Sequence, residues 1–486
     1  MARSRLNIRT IARNTVFGSL FVGLSGCAEG VDFGDPTFPF RSSYATMGRV
    51  QPVTLGETEW WGRFGDATLN RLVAAGLRDN IDIEIAKERI IEARASYLAV
   101  APNNDFSVTG SVLHRINTNG PETTDVSLDG SFSWLLEPNG IPSRRGALLS
   151  EAASNIDLQH AQLHAARLLL LNEIANAYVN LRFNQQVLGL RQGELRSRRE
   201  TRGLILSLIE ENAATELDRA EADALIAETE ASIPPLQAAI QGSTFQLATL
   251  LGRQPGNLPV ALGSGTLPHP QMNPNVGIPA DLLRNRPDID VAEQNYYAAV
   301  SRANFAEADL WPRLSLTGTI SLDRVASQGV AAAVFGPSVT LPALPEGARV
   351  ATMRARESAA RRAHLEWEQT VLEALSDVES VIVSYDASLR SAGAAQRALS
   401  SRREARELTR ERVDTGIEAT ITDLLDAEVD VAQASVNLAQ RRRQVALDFI
   451  SLHISLGAGH NVSSYDSEFA DTSVPADGSA VLVRQE

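Results

Sequence analysis

Four short segments of the chain alternate apolar and polar residues with a period of two, the pattern of a β-strand. The clearest is 126–136, where serines and aspartates separate apolar residues; 106–112 and 314–322 are similar, and 334–341 alternates less cleanly. Each runs for about ten residues, enough for a tilted strand to cross a bilayer. A two-faced soluble sheet would show the same alternation, so the pattern leaves both open.

Two long stretches repeat apolar residues in alternating steps of three and four, the spacing of coiled-coil helices. The repeating positions are Ile156, Leu163, Leu170, Ala177, Ile174, Leu181, Leu188 and Leu195 in the first half, and Val371, Leu375, Val378, Ile382, Tyr385, Leu389 and Ala392 in the second.

These helices are predicted to be unusually long and to fold back as antiparallel hairpins. No proline lies in 144–212, so a continuous helix there would reach about 100 Å. The polar run 211–215 and Gly416 predict the two turns. Pro234 and Pro235 are expected to interrupt and bend the returning helix of the first half.

The chain consists of two similar halves, each predicted to contain a helix, two strands and two helices. We assign them to 58–252 and 279–457, joined by a Pro/Gly-rich connector, 253–278. The segment 27–57 is predicted to be extended, and the polar tail 458–486 to lack fixed structure. Positions that match at offsets of 205 to 208 include Leu77 and Leu283, Asp82 and Asp288, Ser107 and Ser315, Tyr178 and Tyr385, Thr215 and Thr420, Asp218 and Asp423, and Gly252 and Gly457.

Charge and composition exclude several protein classes. The 486 residues carry 45 basic and 59 acidic side chains, a net charge of −14, which argues against a nucleic-acid partner. Beyond the N-terminus no run of about 18 apolar residues predicts a transmembrane helix. The single cysteine excludes a disulfide framework and a cysteine-based zinc site. No catalytic constellation stands out, so we expect no enzyme and no cofactor.

The N-terminus has the order of an export signal: four arginines, the apolar run 16–24, then Leu24-Ser25-Gly26-Cys27. The last four residues resemble the bacterial lipobox, which implies cleavage of 1–26 and covalent lipid on Cys27. Ala28 in the next position implies sorting to the outer membrane. The alternative is an ordinary signal peptide in which the cysteine is accidental.

Four strands are too few to close a membrane barrel, because the smallest such barrels have about eight and lipid does not tolerate open edges. Two or three copies of the chain in a ring would close one. The serine and threonine faces of the strands would then line a wet lumen, and the apolar faces would contact lipid.

The chain resembles the TolC-type outer-membrane efflux channel family, in its OprM/NodT-like lipoprotein branch, over about 58–457. The residues that carry the resemblance are Leu282-Leu283-Arg284-Asn285-Arg286-Pro287-Asp288-Ile289, Ala292-Glu293, Leu314-Ser315-Leu316-Thr317-Gly318, Trp60-Trp61, Phe335-Gly336-Pro337-Ser338, Thr415-Gly416, and Asp423-Leu424-Leu425-Asp426-Ala427-Glu428.

The resemblance implies a mainly α fold with a membrane β-barrel. Three chains would share a twelve-stranded barrel and a helical barrel about 100 Å long, lipid-anchored in the outer membrane of a Gram-negative bacterium and extending into the periplasm. It implies a passive export duct that docks to a periplasmic adaptor and an inner-membrane RND-type pump. A type I secretion duct and a periplasmic coiled-coil scaffold lipoprotein without a pore remain as alternatives.

The same resemblance suggests which residues act. Asp423 and Asp426, three apart on one helix face, match the family's aspartates at the periplasmic constriction, although ordinary solvated acids would look the same. Thr215, Thr415 and Gly416 lie at the predicted hairpin tips, where the adaptor would make contact.

His160 and His164 have the spacing of two metal ligands on a helix, but no third ligand is apparent, so no metal site is predicted.

Overall fold

The computed structural model describes residues 33–41, 44–45, 59–102, 104–115, 123–137, 142–211, 213–270, 285–325, 328–342, 347–415 and 420–460. The first half contains a 3-10 helix (Trp60–Phe64), α1 (Ala67–Asp79), α2 (Ile81–Val100), β1 (Asn104–Arg115), β2 (Thr123–Leu136), α3 (Arg144–Glu210) and α4 (Glu216–Leu250). The second contains α5 (Pro287–Ala308), β3 (Arg313–Val325), β4 (Gln328–Thr340), α6 (Gly347–Thr415) and α7 (Ile421–Ser455).

Each half contains, in order, helix, two strands and two helices, and the first half has α1 and the 3-10 helix in addition. Of the connector, the described residues 253–270 contain neither helix nor strand. The segment 27–57 lies mostly outside the described residues, as does the tail beyond residue 460.

All four strands form one antiparallel sheet in the order β1-β2-β3-β4, so the two halves of the chain build it together. Phe106 pairs with Phe132, which pairs with Gly318, which pairs with Phe335. The strands have 12 to 14 residues, somewhat longer than the alternating segments. β1 and β4 are the edges, and neither has a second neighbour among the described residues.

The two long helices are continuous, as predicted. α3 has 67 residues and α6 has 69, which at 1.5 Å per residue makes each about 100 Å long. Several of the heptad positions are buried in one core cluster, for example Leu170 and Ala177 on α3 and Val371 and Val378 on α6. Leu389, further along α6, is 37% exposed. Tertiary packing of this seam, rather than helix propensity, therefore stabilises the hairpins.

The hairpin turns lie where the sequence predicts them, since α3 ends at Glu210 and α6 at Thr415. The expectation that Pro234 and Pro235 interrupt α4 is wrong: the helix runs through both. Proline has a helical φ and removes one backbone hydrogen bond of the helix. A helix that packs against neighbouring helices can accommodate it at a cost in stability. Gly416 lies outside the described residues.

The chain divides into two compact units. The first, 1–36, 99–151 and 297–362, contains the whole sheet. The second, 37–98, 152–296 and 363–486, contains the main hydrophobic core, in which Trp60, Tyr178 and Phe449 are fully buried.

Candidate functional site

The first hairpin turn is closed by a capping box at the start of α4. Asp218 N–H donates to Thr215 Oγ1 at 3.3 Å, and Asp218 Oδ2 accepts from the backbone N–H of Thr215 at 2.7 Å and from its hydroxyl at 2.6 Å. Two otherwise unpaired backbone donors are thereby satisfied. Thr215, predicted as an adaptor contact, is thus the N-cap of α4.

The second hairpin repeats this geometry 205 residues later. Asp423 N–H donates to Thr420 Oγ1 at 3.2 Å, and Asp423 Oδ2 accepts from Thr420 N–H and its hydroxyl at 2.8 and 2.7 Å. These hydrogen bonds from Thr420 hold the pKa of Asp423 below its usual range. Asp423 therefore has a structural partner, which the constriction hypothesis did not include.

Asp426 lies one turn further along α7 and is exposed. It forms no hydrogen bond or ion pair with other residues that the structure describes. Thr415 is the exposed last residue of α6, and its hydroxyl donates to the carbonyl of Glu411 at 2.8 Å. The two predicted constriction residues thus differ, because only the carboxylate of Asp426 is without a partner in the described part of the chain.

The two hairpin tips pack against each other through a small apolar cluster. Ile205 of α3 and Ala222 of α4 lie against Ile421 and Leu425 of α7. This contact brings Thr215 and Thr420 to the same end of the second unit, as the hairpin assignment required.

A polar contact between the hairpins was missed by sequence reasoning. Glu428 Oε1 on α7 accepts from Ser197 at 3.3 Å and from Thr201 at 2.8 Å, both on α3. In the first hairpin the equivalent position, Asp223, pairs instead with Arg202 of its own hairpin. The offset of 205 could have identified the position, but not its partner.

The Arg286-Pro287-Asp288 segment, the most specific part of the resemblance, has a structural role. Arg286 Nε donates to Asp288 Oδ1 at 3.0 Å, and its Nη1 donates to the carbonyl of Ser455 at 2.9 Å. Burial lowers the pKa of Arg286, but Asp288 and Asp377 outweigh it and raise the pKa. The segment ties the start of α5 to the end of α7.

The two histidines with metal-ligand spacing have other neighbours. His160 Nε2 lies 3.4 Å from Arg94 Nη2, and the His164 ring lies 4.9 Å from that of His460. Among the described residues, no group of three or more histidine, cysteine or acidic side chains could hold a metal ion. Cys27, the predicted lipidation site, lies outside them.

The sheet presents an apolar face that the described residues leave exposed. Phe106 is 73% exposed, Val112 70% and Phe335 63%. On the opposite face Ser107 and Ser131 are hydrogen-bonded at 2.7 Å, as are Ser111 and Ser127 at 2.8 Å.

No described helix combines the length and the apolar run that crossing a membrane takes.

Comparison with known proteins assigns the family. The model of the family described as outer membrane efflux protein matches residues 278–458. Nodulation protein T of Rhizobium leguminosarum bv. trifolii is 31% identical over 464 residues, covering 92% of this chain and 97% of that protein. The solvent efflux pump outer membrane protein SrpC of Pseudomonas putida is 24% identical, covering 90% and 97%.

A solved structure supports the same family assignment. The outer-membrane channel OprN superposes with a TM-score of 0.79 at 28% identity, covering 89% of this chain and all of that one. The predicted family and fold class are confirmed, and the comparisons favour a duct over a poreless scaffold. The chain belongs to the outer membrane efflux protein family, the TolC-type channels of the Gram-negative outer membrane that extend into the periplasm.

Proposed function

We propose that three copies of this chain assemble into one passive export duct. Three sheets of four strands would close a twelve-stranded barrel in the outer membrane. The hairpins would form a tube in the periplasm. Because β1 and β4 run in opposite directions, β4 of one copy can pair with β1 of the next in the same antiparallel sense.

The observation that carries this proposal is the four-stranded sheet, whose two edges have no partner in the described part of the chain and whose apolar face is exposed there. An open edge is not tolerated in lipid, and the exposed phenylalanines and valines would be costly in water. Strands of 12 to 14 residues rise about 40 Å, which spans a hydrocarbon core of about 30 Å when tilted. Closure by further copies resolves both problems.

The energy for transport would come from a partner, an RND-type inner-membrane pump connected through a periplasmic adaptor. We assign the adaptor to the hairpin tips, where Thr215 and Thr415 are exposed, and to Gly416, which lies outside the described residues. The name of the relative SrpC, a solvent efflux pump component, and that of the pyoverdine export protein OpmQ favour small molecules over a polypeptide as cargo.

Asp423 and Asp426 would narrow the periplasmic end of the duct. Threefold symmetry would turn each aspartate into a ring of three like charges, which attracts cations. Both residues are exposed near the hairpin tips, which supports this assignment. Lipid on Cys27 would add a membrane anchor next to the barrel.

The test uses the full-length protein purified in detergent. We expect a particle of three chains by native mass spectrometry, and ion conductance in planar bilayers that cations added on the hairpin side block. A single-chain particle without conductance would contradict the duct. If the wild type forms a conducting trimer, and cations block the Asp426→Ala and Asp423→Ala variants as well as they block the wild type, only the constriction assignment is contradicted.

A further inference from the structure

Three arginines converge where the sheet of the first unit meets its helices. Arg144 is the first residue of α3, Arg313 the first of β3 and Arg349 the third of α6. Arg144 pairs with Asp309 and lies 4.5 Å from the Phe305 ring centroid, and Arg349 Nη1 donates to the carbonyl of Asp309 at 3.4 Å. Burial, and then the charges of Arg313 and Arg349, lower the pKa of Arg144.

The positive charge continues along the first turns of α6. Residues 347–362 contain five arginines and one glutamate, although the whole chain has a net charge of −14. Arg313 and Arg354 are exposed and form no hydrogen bond or ion pair with other described residues. We name Arg144, Arg313, Arg349 and Arg354 the arginine collar. Its only ion-pair partner among the described residues is Asp309, so the collar carries excess positive charge.

A buried donor without an acceptor lies in the same place. Trp311, Arg144 and Arg313 line one cleft of about 30 Å³, room for about one oxygen-sized group. Glu137 also lines it, and its Oε1 accepts from the backbone N–H of Arg145 at 3.0 Å. Trp311 Nε1 is buried and has no hydrogen-bond partner in the described part of the chain. A buried N–H left unpaired is costly, so the cleft calls for an acceptor oxygen.

The position of the collar limits what can supply that oxygen. It lies at the helix-side ends of the strands, directly beside Leu136 and Leu314 of the apolar face. If the strands span the membrane, this level coincides with the headgroup zone, about 6 Å thick on each side of the hydrocarbon. Arginine side chains reach such a zone readily.

We propose that the arginine collar binds the phosphate of an anionic phospholipid of the periplasmic leaflet, with Trp311 Nε1 donating to one phosphate oxygen. This site rests on the proposed duct, because it needs the strands to cross the membrane. It is separate from the lipid expected on Cys27 and from the hairpin tips. Its effect is to hold the sheet at a defined depth in the bilayer.

The test is native mass spectrometry of the full-length protein, purified in detergent with phosphatidylglycerol or phosphatidylcholine added in equal amounts. We expect the wild type to retain phosphatidylglycerol preferentially. The double variant Arg313→Gln, Arg354→Gln should lose about twenty-fivefold in that retention, since each arginine near an anionic surface contributes about a factor of five. Phosphatidylcholine retention should not change.

The matched control is Arg397→Gln with Arg403→Gln. Both are exposed arginines of α6 without an ion pair among the described residues. Arg397, the nearer of the two, lies about 65 Å further along the helix than Arg354. The control removes the same charge and should retain phosphatidylglycerol like the wild type. Trp311→Phe, which keeps an aromatic ring and deletes only the donor, should also lower retention.

Three results would overturn the proposal: equal retention of the two lipids by the wild type, an equal loss in the control, or displacement of phosphatidylglycerol by millimolar inorganic phosphate, which would indicate a small-anion site.

Conductance measurements distinguish a failure of this proposal from a failure of the proposed duct. A collar variant that loses lipid but conducts as a trimer supports the collar and leaves the duct intact. A wild type that retains phosphatidylglycerol without conducting contradicts the duct alone.

Discussion

Gly457 lies against the backbone carbonyl of Asn285 so closely that a Cβ on the glycine would overlap the carbonyl oxygen. In the first half Gly252 lies against the carbonyl of Asp79 in the same way. Both glycines have a positive φ, 71° and 64°, and each follows the last helix of its half. The repeat is therefore preserved in backbone contacts as well as in side chains.

Replacing either glycine with alanine should destabilise the protein. Gly457→Ala combines an unfavourable φ with a backbone overlap, so we expect a loss of about 2 kcal/mol or more in the free energy of unfolding. Gly252→Ala should behave alike. Gly203→Ala is the control, because Gly203 lies within α3 with open space around it, and alanine there should stabilise by up to about 1 kcal/mol. Thermal unfolding of the purified protein measures all three.

The two capping boxes should contribute equally. Thr215→Ala and Thr420→Ala each remove an N-cap hydroxyl, and each should cost about 1 kcal/mol and increase amide hydrogen exchange in the first turn of α4 or α7. Thr215→Ser and Thr420→Ser retain the cap and serve as controls. Exchange that is unchanged in the alanine variants would show that the boxes do not hold the turns.

Asp423 and Asp426 should differ in what they do. Asp423→Ala removes the acceptor for Thr420, so it should loosen the start of α7 as well as reduce cation block. Asp426→Ala leaves the capping box intact and should reduce cation block without lowering the melting temperature. Single-channel recording and thermal unfolding of both variants check this. A lower melting temperature in Asp426→Ala alone would reverse the assignment.

Acid should weaken the fold through His453. Its ring stacks on Trp60 at 5.5 Å, and neither ring nitrogen has a hydrogen-bond partner among the described residues. Burial, and then the charge of Arg63, lower its pKa to about 3. The unfolded chain takes up a proton near pH 6.5 while the folded chain does not. Stability is therefore fully present above that pH and is lost as the pH falls towards 3.

Between pH 7.5 and pH 5 this single group should remove about 2 kcal/mol of stability. His453→Phe keeps the ring and removes the titration, so its melting temperature should depend less on pH in this range. The exposed His269, replaced by glutamine, is the control. A pH dependence that is the same in His453→Phe as in the wild type would contradict the role of His453.

A positive charge should have different effects on the two faces of β1. Phe106→Arg places a guanidinium on the apolar face, where lipid contact would cost about 2 to 4 kcal/mol near the bilayer centre and less towards its edges. We expect less assembled protein in the outer membrane. Ser107→Arg lies on the serine face and should assemble normally but change the conductance. Assembly is measured by heat-dependent gel mobility of membrane fractions.

Much of the local structure followed from the sequence. The period of two at 126–136 is sufficient for a strand, because side chains alternate between the two sides of a pleated sheet. The heptad through Leu163 and Leu170 is sufficient for a helix with one buried seam. The polar run 211–215 is sufficient for the first hairpin turn, because it breaks the apolar periodicity of the helix.

The residue pairs across the fold followed only from the tertiary structure. Nothing local in the sequence indicates that Glu428 binds Ser197 and Thr201, or that Trp60 covers His453, because those partners are hundreds of residues apart. Pro234 and Pro235 show the converse: a strong local signal for interruption is overridden by packing of the surrounding helix. Local periodicity reports which face of an element is buried, whereas the identity of the neighbour depends on how distant segments pack together.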